Sequence, residues 1–397
     1  MTLTPFPYRN ILLLACCQAL LLTNAAGLIS MSALVGFSLT ETKALATLGA
    51  TTYVLGSALA TMPASLWMAR VGRRTGFMTG ALVNVGGCAL AAVALWQHSF
   101  ALFCVASAVI GIYNAIGLQY RFAAAEVAAP ADRAKAISLV LAGGIAGGFL
   151  GPETTRWGRD LFATPFLGSF LLLAGWALVA LIVQSRVRVP APTLEERAGG
   201  GRPLSLIVRQ PVFIVAALSG ALSYGLMNLL MVATPLAMSF CSHPYAQAAM
   251  VIQWHVVAMY GPGFVTGDLI KRFGVLAIII AGVALMGGCI AVAIAGDTVA
   301  HFLFALMLVG VGWNFMYTGG TMLLTEAYAP PEKAKTQGAN DLVIFTTMGI
   351  SSLASGALVS SVGWERMNLG AIPILVVALG AVLWLAWCRR TARVVSA

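Results

Sequence analysis

Long apolar stretches alternate with short polar or charged segments along the whole chain. A membrane-spanning helix needs about 20 predominantly apolar residues, and a helix satisfies its own backbone hydrogen bonds in hydrocarbon. The stretches lack the two-residue alternation of barrel strands. The pattern therefore predicts twelve spanning helices, at about residues 10–34, 44–68, 76–96, 100–124, 136–157, 164–184, 211–238, 246–268, 275–295, 301–325, 338–359 and 369–388.

Composition supports the membrane class. Hydrophobic residues make up 60% of the 397 residues and charged residues only 9%, whereas soluble domains are about 25% charged. The seven cysteines show no metal-ligand spacing, and neither a Walker-type glycine loop nor a hydrolase serine motif occurs. We expect a membrane protein that is not an enzyme and that needs no cofactor or metal.

Basic residues are unequally divided between the two sets of loops. Of the 23 lysines and arginines, nineteen lie on the side of the termini and four on the other side. Because basic loops stay cytoplasmic, we expect both termini in the cytoplasm and the chain in a cell inner membrane. The net charge of +10 is spread over all these loops, which argues against a nucleic-acid partner.

An internal repeat relates residues 110–136 to residues 310–336 without a gap. Residues of types that are scarce in this chain recur at an offset of 200, which makes chance a poor explanation. The recurring residues are Asn114, Glu126, Ala129, Pro130, Ala134 and Lys135, which return as Asn314, Glu326, Ala329, Pro330, Ala334 and Lys335.

A polar linker at residues 185–209 contains clustered Pro, Gly and charged residues. It contains residue 200, the boundary that the 200-residue offset of the repeat also indicates. It separates six predicted helices from the other six. We therefore predict an N-terminal six-helix bundle at 1–184 and a C-terminal six-helix bundle at 210–397.

This arrangement resembles the major facilitator superfamily of secondary transporters. The resemblance implies an all-α membrane fold with twelve transmembrane helices in two pseudo-twofold-related six-helix bundles. The family usually carries G-x-L-x-D-R-x-G-R-R after its second helix. The basic half of that motif is present here, but Lys271 stands at the acid position of the second copy and the first copy lacks both its Gly and its Asp. The residues expected at a cytoplasmic gate are Arg70, Arg73, Arg74, Glu126, Arg133, Asp268, Arg272, Glu326 and Lys333; alternatively, these loops only set the topology.

Small residues form a stripe on the fifth predicted helix, at Gly143, Gly147 and Gly151, followed by Pro152. The four-residue spacing places the glycines on one helix face. This resembles the G-x-x-x-G-P pattern of antiporters in the family. The alternative is a close packing seam between helices.

Polar side chains at membrane depth are costly and indicate functional sites. By the family's architecture, the first, fourth, seventh and tenth helices line a central cavity, and each contributes one asparagine. The alternative is that these amides join helices by hydrogen bonds. The predicted substrate-binding residues are Asn24, Asn114, Gln119, Tyr120, Arg121, Asn228, Gln253, Trp254, His255, Trp313, Asn314 and Tyr317.

Two residues are predicted proton carriers, His255 inside the eighth helix and Asp341 at the start of the eleventh. Arg121 has no counterpart in the repeat, where Thr321 stands. An arginine facing a cavity favours an anionic solute, but it can also reach the lipid headgroups.

These features predict a secondary transporter that moves a small organic solute, anionic or amphipathic, by alternating access. Proton-coupled efflux by an antiporter is the first expectation, and uptake of a nutrient or vitamin is the alternative. A sensor or assembly factor with this fold is the alternative from another class. The expected partners are a small-molecule substrate, protons and the lipid bilayer, and the expected state is a monomer.

Overall fold

A computed structural model describes residues 7–41, 45, 48–194 and 200–395. Within these ranges the chain is helical and has no strand, which confirms the all-α prediction. The first eight helices are α1 Tyr8–Leu39, α2 Leu48–Val71, α3 Arg73–Trp96, α4 Phe100–Gly117, α5 Tyr120–Val127, α6 Arg133–Ala142, α7 Gly144–Gly158 and α8 Leu167–Arg186. The remaining helices are α9 Leu204–Ile207, α10 Pro211–Phe240, α11 Tyr245–Tyr260, α12 Thr266–Phe273, α13 Val275–Ala295, α14 Val299–Leu324, α15 Lys333–Leu369 and α16 Ile372–Val395.

Helices occupy all twelve predicted segments, but the predicted number of spans is matched only in part. In the described part of the chain, nine helices are long and apolar enough to cross a membrane, and ten if one bent pair counts as a span. Helix α2 is not among them, because its threonines, serines and internal Pro63 lower its hydropathy. Helix α15 and most of helix α16 are counted together as one candidate span, Pro330–Thr391.

Several predicted spans are broken into two helices. The bent pair is Gln247–Phe264 with Thr266–Phe273, and the bend is 50°. A 3-10 turn, Gly261–Phe264, lies at this break and contains Pro262. Proline lacks the backbone N–H that a continuous helix would use, so a kink at this position is expected.

The chain forms two compact units. Unit 1 comprises Met1–Pro130, Leu139–Gly199 and Gln337–Leu342, and unit 2 comprises Ala131–Ser138, Gly200–Thr336 and Val343–Ala397. The predicted linker starts where α8 ends and stops just before α10, and its residues 195–199 lie outside the described ranges. The division into two six-helix bundles stays a prediction.

The core of unit 1 lies between α1, α2, α3, α4 and α8. Its buried members include Leu28, Tyr53, Leu95, Phe103 and Phe170. The rings of Phe103 and Phe170 are 6.1 Å apart and meet edge to face, an arrangement that aromatic pairs favour. This packing fixes α4, whose continuation α5 carries Arg121.

In unit 2, α14 packs against α10, α11 and α13. The end of the linker is tied to the same unit by Arg202. Its backbone N–H donates to Glu332 Oε1 over 2.7 Å and its Nη2 donates to Glu332 Oε2 over 2.6 Å. Glu332 is 2% exposed, and its hydrogen bond with Arg202 raises the pKa of that guanidinium. Lys335 Nζ also donates to the carbonyl oxygen of Arg202 over 2.6 Å.

Candidate functional site

A buried ion pair between Arg121 and Asp341 lies inside unit 1. Arg121 Nη2 contacts Asp341 Oδ1, and both side chains are 1% exposed. Asn340 Nδ2 also donates to Oδ1 over 2.9 Å, and Gln119 Nε2 approaches Oδ2 at 3.4 Å. The guanidinium carbon of Arg121 lies 4.6 Å from the centre of the Phe122 ring. The carboxylate thus supplies the counter-charge that a buried guanidinium requires.

A second ion pair continues this network within unit 1. Arg73 Nη2 lies 2.8 Å from Glu126 Oε1, with side-chain exposures of 7% and 17%. Arg73 Nη1 donates to Gln119 Oε1 over 2.8 Å, and Nη2 donates to Gln337 Oε1 over 2.6 Å. Two arginines and two carboxylates sum to zero net charge. We call these four residues and the bridging Gln119 and Gln337 the charge network.

The predicted gate residues divide into paired and exposed groups. Glu126 provides the carboxylate for Arg73, in place of the acid missing from the loop motif. Glu326 instead pairs with Arg389 over 2.6 Å. Asp268 lies 3.8 Å from Lys135 Nζ, a contact inside unit 2.

The other predicted gate residues differ in exposure. Arg70, Arg74 and Arg272 are exposed, and Arg133 and Lys333 are half-buried. The guanidinium of Arg272 lies 5.1 Å from the centre of the Phe273 ring. Of the ion pairs described for the predicted gate residues, the one between Arg73 and Glu126 has the most buried side chains.

An aromatic cluster lies inside unit 2 and contains Tyr224, Tyr260, Trp313 and Tyr317. Trp313 and Tyr317 are nearly parallel, with ring centres 5.0 Å apart and an angle of 17°. Tyr224 meets Trp313 edge-on at 5.2 Å and Tyr317 at 5.1 Å, and Tyr260 meets Trp313 at 5.5 Å. Each such pair contributes about 0.5–1.5 kcal/mol beyond the burial of its area.

The position of the cluster follows from local sequence and from the fold. Trp313 and Tyr317 are four residues apart on α14, so both lie on one helix face. Tyr224 comes from α10 and Tyr260 from the end of α11. Trp313 and Tyr317 are each 1% exposed, whereas Tyr224 is half-buried.

The four predicted cavity asparagines all make contacts within their own unit. These amides join different helices or link a helix to a neighbouring turn, which is the alternative role considered for them. Asn24 Oδ1 accepts from Asn84 over 2.8 Å, Asn114 donates to Ser57 Oγ over 3.2 Å, Asn228 donates to Ser351 Oγ over 3.1 Å, and Asn314 Oδ1 accepts from Thr266 over 2.7 Å.

The structure does not bring the three polar residues of α11 together. His255 is fully buried and its Nδ1 lies 2.7 Å from the carbonyl oxygen of Leu306. Gln253 and Trp254 are exposed. Tyr120, also predicted at the site, is buried in unit 1 and accepts from Gln184 Nε2 over 2.7 Å.

The glycine stripe is a helix contact. A Cβ atom added at Gly143 would lie 2.2 Å from the carbonyl oxygen of Ala15, and one at Gly147 would lie 2.3 Å from that of Ala19. A Cβ atom added at Gly151 would lie 2.7 Å from the carbonyl oxygen of Thr23, which belongs to the same helix, α1. Pro152 is exposed. The packing seam is therefore present, and the antiporter role of this motif stays a prediction.

Sequence reasoning missed several polar or aromatic partners. Asn84 is an amide inside an apolar helix, as Asn24 is, so the same criterion could have selected it. Gln337 lies one helical turn before Asp341 and could therefore have been predicted beside it. Tyr224 has no such signal, because an aromatic residue in an apolar helix is common.

The chain is thus a polytopic α-helical membrane protein with buried polar contacts between its helices. A model of the Major Facilitator Superfamily matches residues 11–300, and the chain belongs to this superfamily of transporters, which is not an enzyme family. The resemblance described from the sequence is confirmed.

Individual relatives agree with this family. The riboflavin transporter RfnT of Brucella anthropi is 40% identical over 374 residues, which cover 94% of each chain. An uncharacterized transporter of the same superfamily from Bacillus subtilis, YdeG, is 29% identical and the match covers 91% of this chain and 87% of that one.

Solved structures share the fold at low identity. The transporter FucP in its outward conformation superposes with a TM-score of 0.75 at 17% identity, covering 96% of this chain and 98% of that one. A bacterial homologue of the iron transporter ferroportin gives a TM-score of 0.73 at 13% identity, covering 95% and 99%.

Proposed function

We propose that this protein takes up riboflavin, or a closely related uncharged flavin, across the membrane by alternating access. The observation that carries this proposal is the 40% identity with a riboflavin transporter over 94% of both chains. Of the two directions considered from the sequence, uptake fits a vitamin better than efflux. Of the two kinds of solute expected from the sequence, anionic and amphipathic, riboflavin is the amphipathic kind.

The charge network supports an uncharged substrate. Arg121 was expected to attract an anion, but Asp341 contacts it directly and both are buried. A guanidinium already neutralised by a carboxylate offers little net attraction to a second anion. An uncharged vitamin is compatible with such a site.

Proton coupling is assigned to Asp341 in this proposal. Its carboxylate contacts Arg121, Asn340 and Gln119. Protonation of this carboxylate would therefore weaken its ion pair with Arg121. His255 is the other predicted proton carrier, but its ring is fully buried and its hydrogen bond to a backbone carbonyl supplies no counter-charge for an imidazolium. A carboxylate that either pairs with an arginine or binds a proton has two states. A proton gradient can shift the populations of these two states.

Uptake of labelled riboflavin tests the function. A bacterial strain unable to make riboflavin should grow on low external riboflavin when it expresses this protein, and proteoliposomes should accumulate the labelled vitamin. The phosphorylated flavin should compete weakly, because it carries a charge. Absence of both growth and accumulation, with the protein shown to be in the membrane, would overturn the proposal.

A pH-sensitive dye trapped inside the same proteoliposomes tests the coupling. Riboflavin should evoke proton influx in the wild-type protein and not in Asp341→Asn. The variant His255→Gln should keep the flux. Equal flux in wild type and Asp341→Asn would remove Asp341 from the proposed mechanism while leaving riboflavin uptake intact.

A further inference from the structure

The aromatic cluster of unit 2 departs from the internal repeat. At the offset of 200 residues, Trp313 corresponds to Tyr113 and Tyr317 corresponds to Gly117. The parallel pair of rings therefore has no equivalent in the first copy. The place that a side chain at position 117 would take is occupied by Leu21. The Cδ1 atom of Leu21 would lie 2.5 Å from a Cβ added at Gly117. A feature found in one copy only is not required for the machinery that both copies share.

The buried tryptophan of the cluster, Trp313, also has an indole N–H that makes no described hydrogen bond. Trp313 is 1% exposed, and the residues that the structure describes provide no hydrogen-bond partner for its indole Nε1–H. Leaving a buried donor without an acceptor is costly, and such groups are rare in native proteins. A ligand with an acceptor in the plane of its ring would satisfy this donor.

The least buried ring of the cluster lies against both members of the parallel pair. Tyr224 is half-buried, and its ring meets Trp313 and Tyr317 edge-on at almost equal distances of 5.2 Å and 5.1 Å. A flat ring that took the place of Tyr224 would be in contact with both rings. By turning its face to either one it would adopt the offset-stacked geometry that aromatic systems favour.

From these three observations we propose that Trp313 and Tyr317 form the surface on which the planar ring system of a flavin stacks, with the Trp313 indole N–H donating to a ring carbonyl. Tyr224 covers this surface in the absence of substrate and moves aside when the flavin enters. The assignment rests on the proposed function. It makes the ring system, rather than the ribityl chain, the part of riboflavin that these residues recognise.

Fluorescence titration of purified full-length protein tests the assignment. Stacking on tryptophan quenches flavin fluorescence, so riboflavin and lumiflavin, which lacks the ribityl chain, should both be quenched in a saturable manner. Trp313→Phe keeps an aromatic ring and loses the N–H, and it should weaken the Kd of both flavins by about tenfold, the equivalent of one hydrogen bond. Trp313→Leu should weaken it further.

Trp176 provides a matched control in unit 1. Its Nε1 donates to Thr154 Oγ1 over 3.0 Å, so Trp176→Phe also removes one indole hydrogen bond but lies outside the cluster. This variant should bind both flavins with the wild-type Kd. Tyr317→Leu is the second variant in the cluster, to be used if Trp313→Phe does not elute as a folded species, and it should weaken binding at least as much.

The outcomes separate the two proposals. If the wild type binds riboflavin and the folded Trp313 and Tyr317 variants keep the wild-type Kd, the stacking assignment is overturned and riboflavin uptake stands. If the wild type neither binds nor transports riboflavin, the proposed function and this assignment fail together. Weaker binding by Trp313→Phe, with the Kd of Trp176→Phe unchanged, supports the assignment.

Discussion

The ion pair between Arg121 and Asp341 gives the sharpest stability prediction. The perturbation is a double-mutant cycle of Asp341→Asn, Arg121→Gln and the double variant. Asparagine at position 341 keeps the shape of the side chain and an oxygen that can accept from Arg121. It removes the charge, so the guanidinium would stay buried without its counter-charge.

The magnitude follows from burial. Both side chains are 1% exposed, and removing one partner of a buried ion pair costs about 3–5 kcal/mol. Replacing both partners removes the charges together and costs much less. The sum of the two single effects should therefore exceed the double effect by about 3 kcal/mol or more, at or above the upper end of the range found for directly contacting residues.

The assay is the free energy of unfolding of the purified variants, measured by titration with a denaturing detergent in mixed micelles. Glu153 and Arg156 form a control pair at 2.5 Å, but their side chains are 42% and 72% exposed. Glu153→Gln should cost no more than about 1 kcal/mol. Additive single effects at Arg121 and Asp341, or costs as small as those of the control, would refute the view that this pair is desolvated and coupled.

Three further predictions concern a helix contact, an ion pair and a hydrogen bond. Gly147→Val should abolish transport or folding because a Cβ there would lie 2.3 Å from a carbonyl oxygen of α1, whereas Gly86→Ala, which meets nothing within 4 Å, should express and transport normally in the same membrane assay. Arg202→Ala should make the linker sensitive to limited proteolysis because it releases Glu332, whereas Arg209→Ala, a change at an exposed residue, should leave the digestion pattern unchanged. Asn24→Ala should lower the free energy of unfolding by about 0.6–1.7 kcal/mol, as for other hydrogen bonds between membrane helices, without changing the Kd for riboflavin; a weaker Kd would favour the cavity role instead.

The helices could be predicted because the membrane imposes one rule on all of them. An apolar run of sufficient length must be helical, so hydropathy located a helix in every predicted segment. Hydropathy was less informative for α2, whose threonines and serines weaken the signal, and for α15 and α16, which merge into one apolar stretch. The kink at Pro262 was not predicted, although the chemistry of proline makes it understandable.

The side-chain partners could not be predicted from the same pattern. Arg121 and Asp341 are separated by 220 residues, and no local rule connects positions that far apart. Asp341 was expected at the start of the eleventh helix, but no feature of the sequence around it indicated that packing would leave it 1% exposed. The spacing of Trp313 and Tyr317 does predict a shared helix face, but Tyr224 and Tyr260 join them only through the fold.

The membership of residues 337–342 in unit 1 has a consequence for biosynthesis. A ribosome adds about 5–20 residues per second, so Asp341 emerges roughly 10–45 s after Arg121, given the 220 residues between them. During that interval the newly inserted first helices lack the carboxylate that neutralises Arg121 in the finished protein. The nascent first half therefore stays an incomplete folding unit until the eleventh predicted helix has been made.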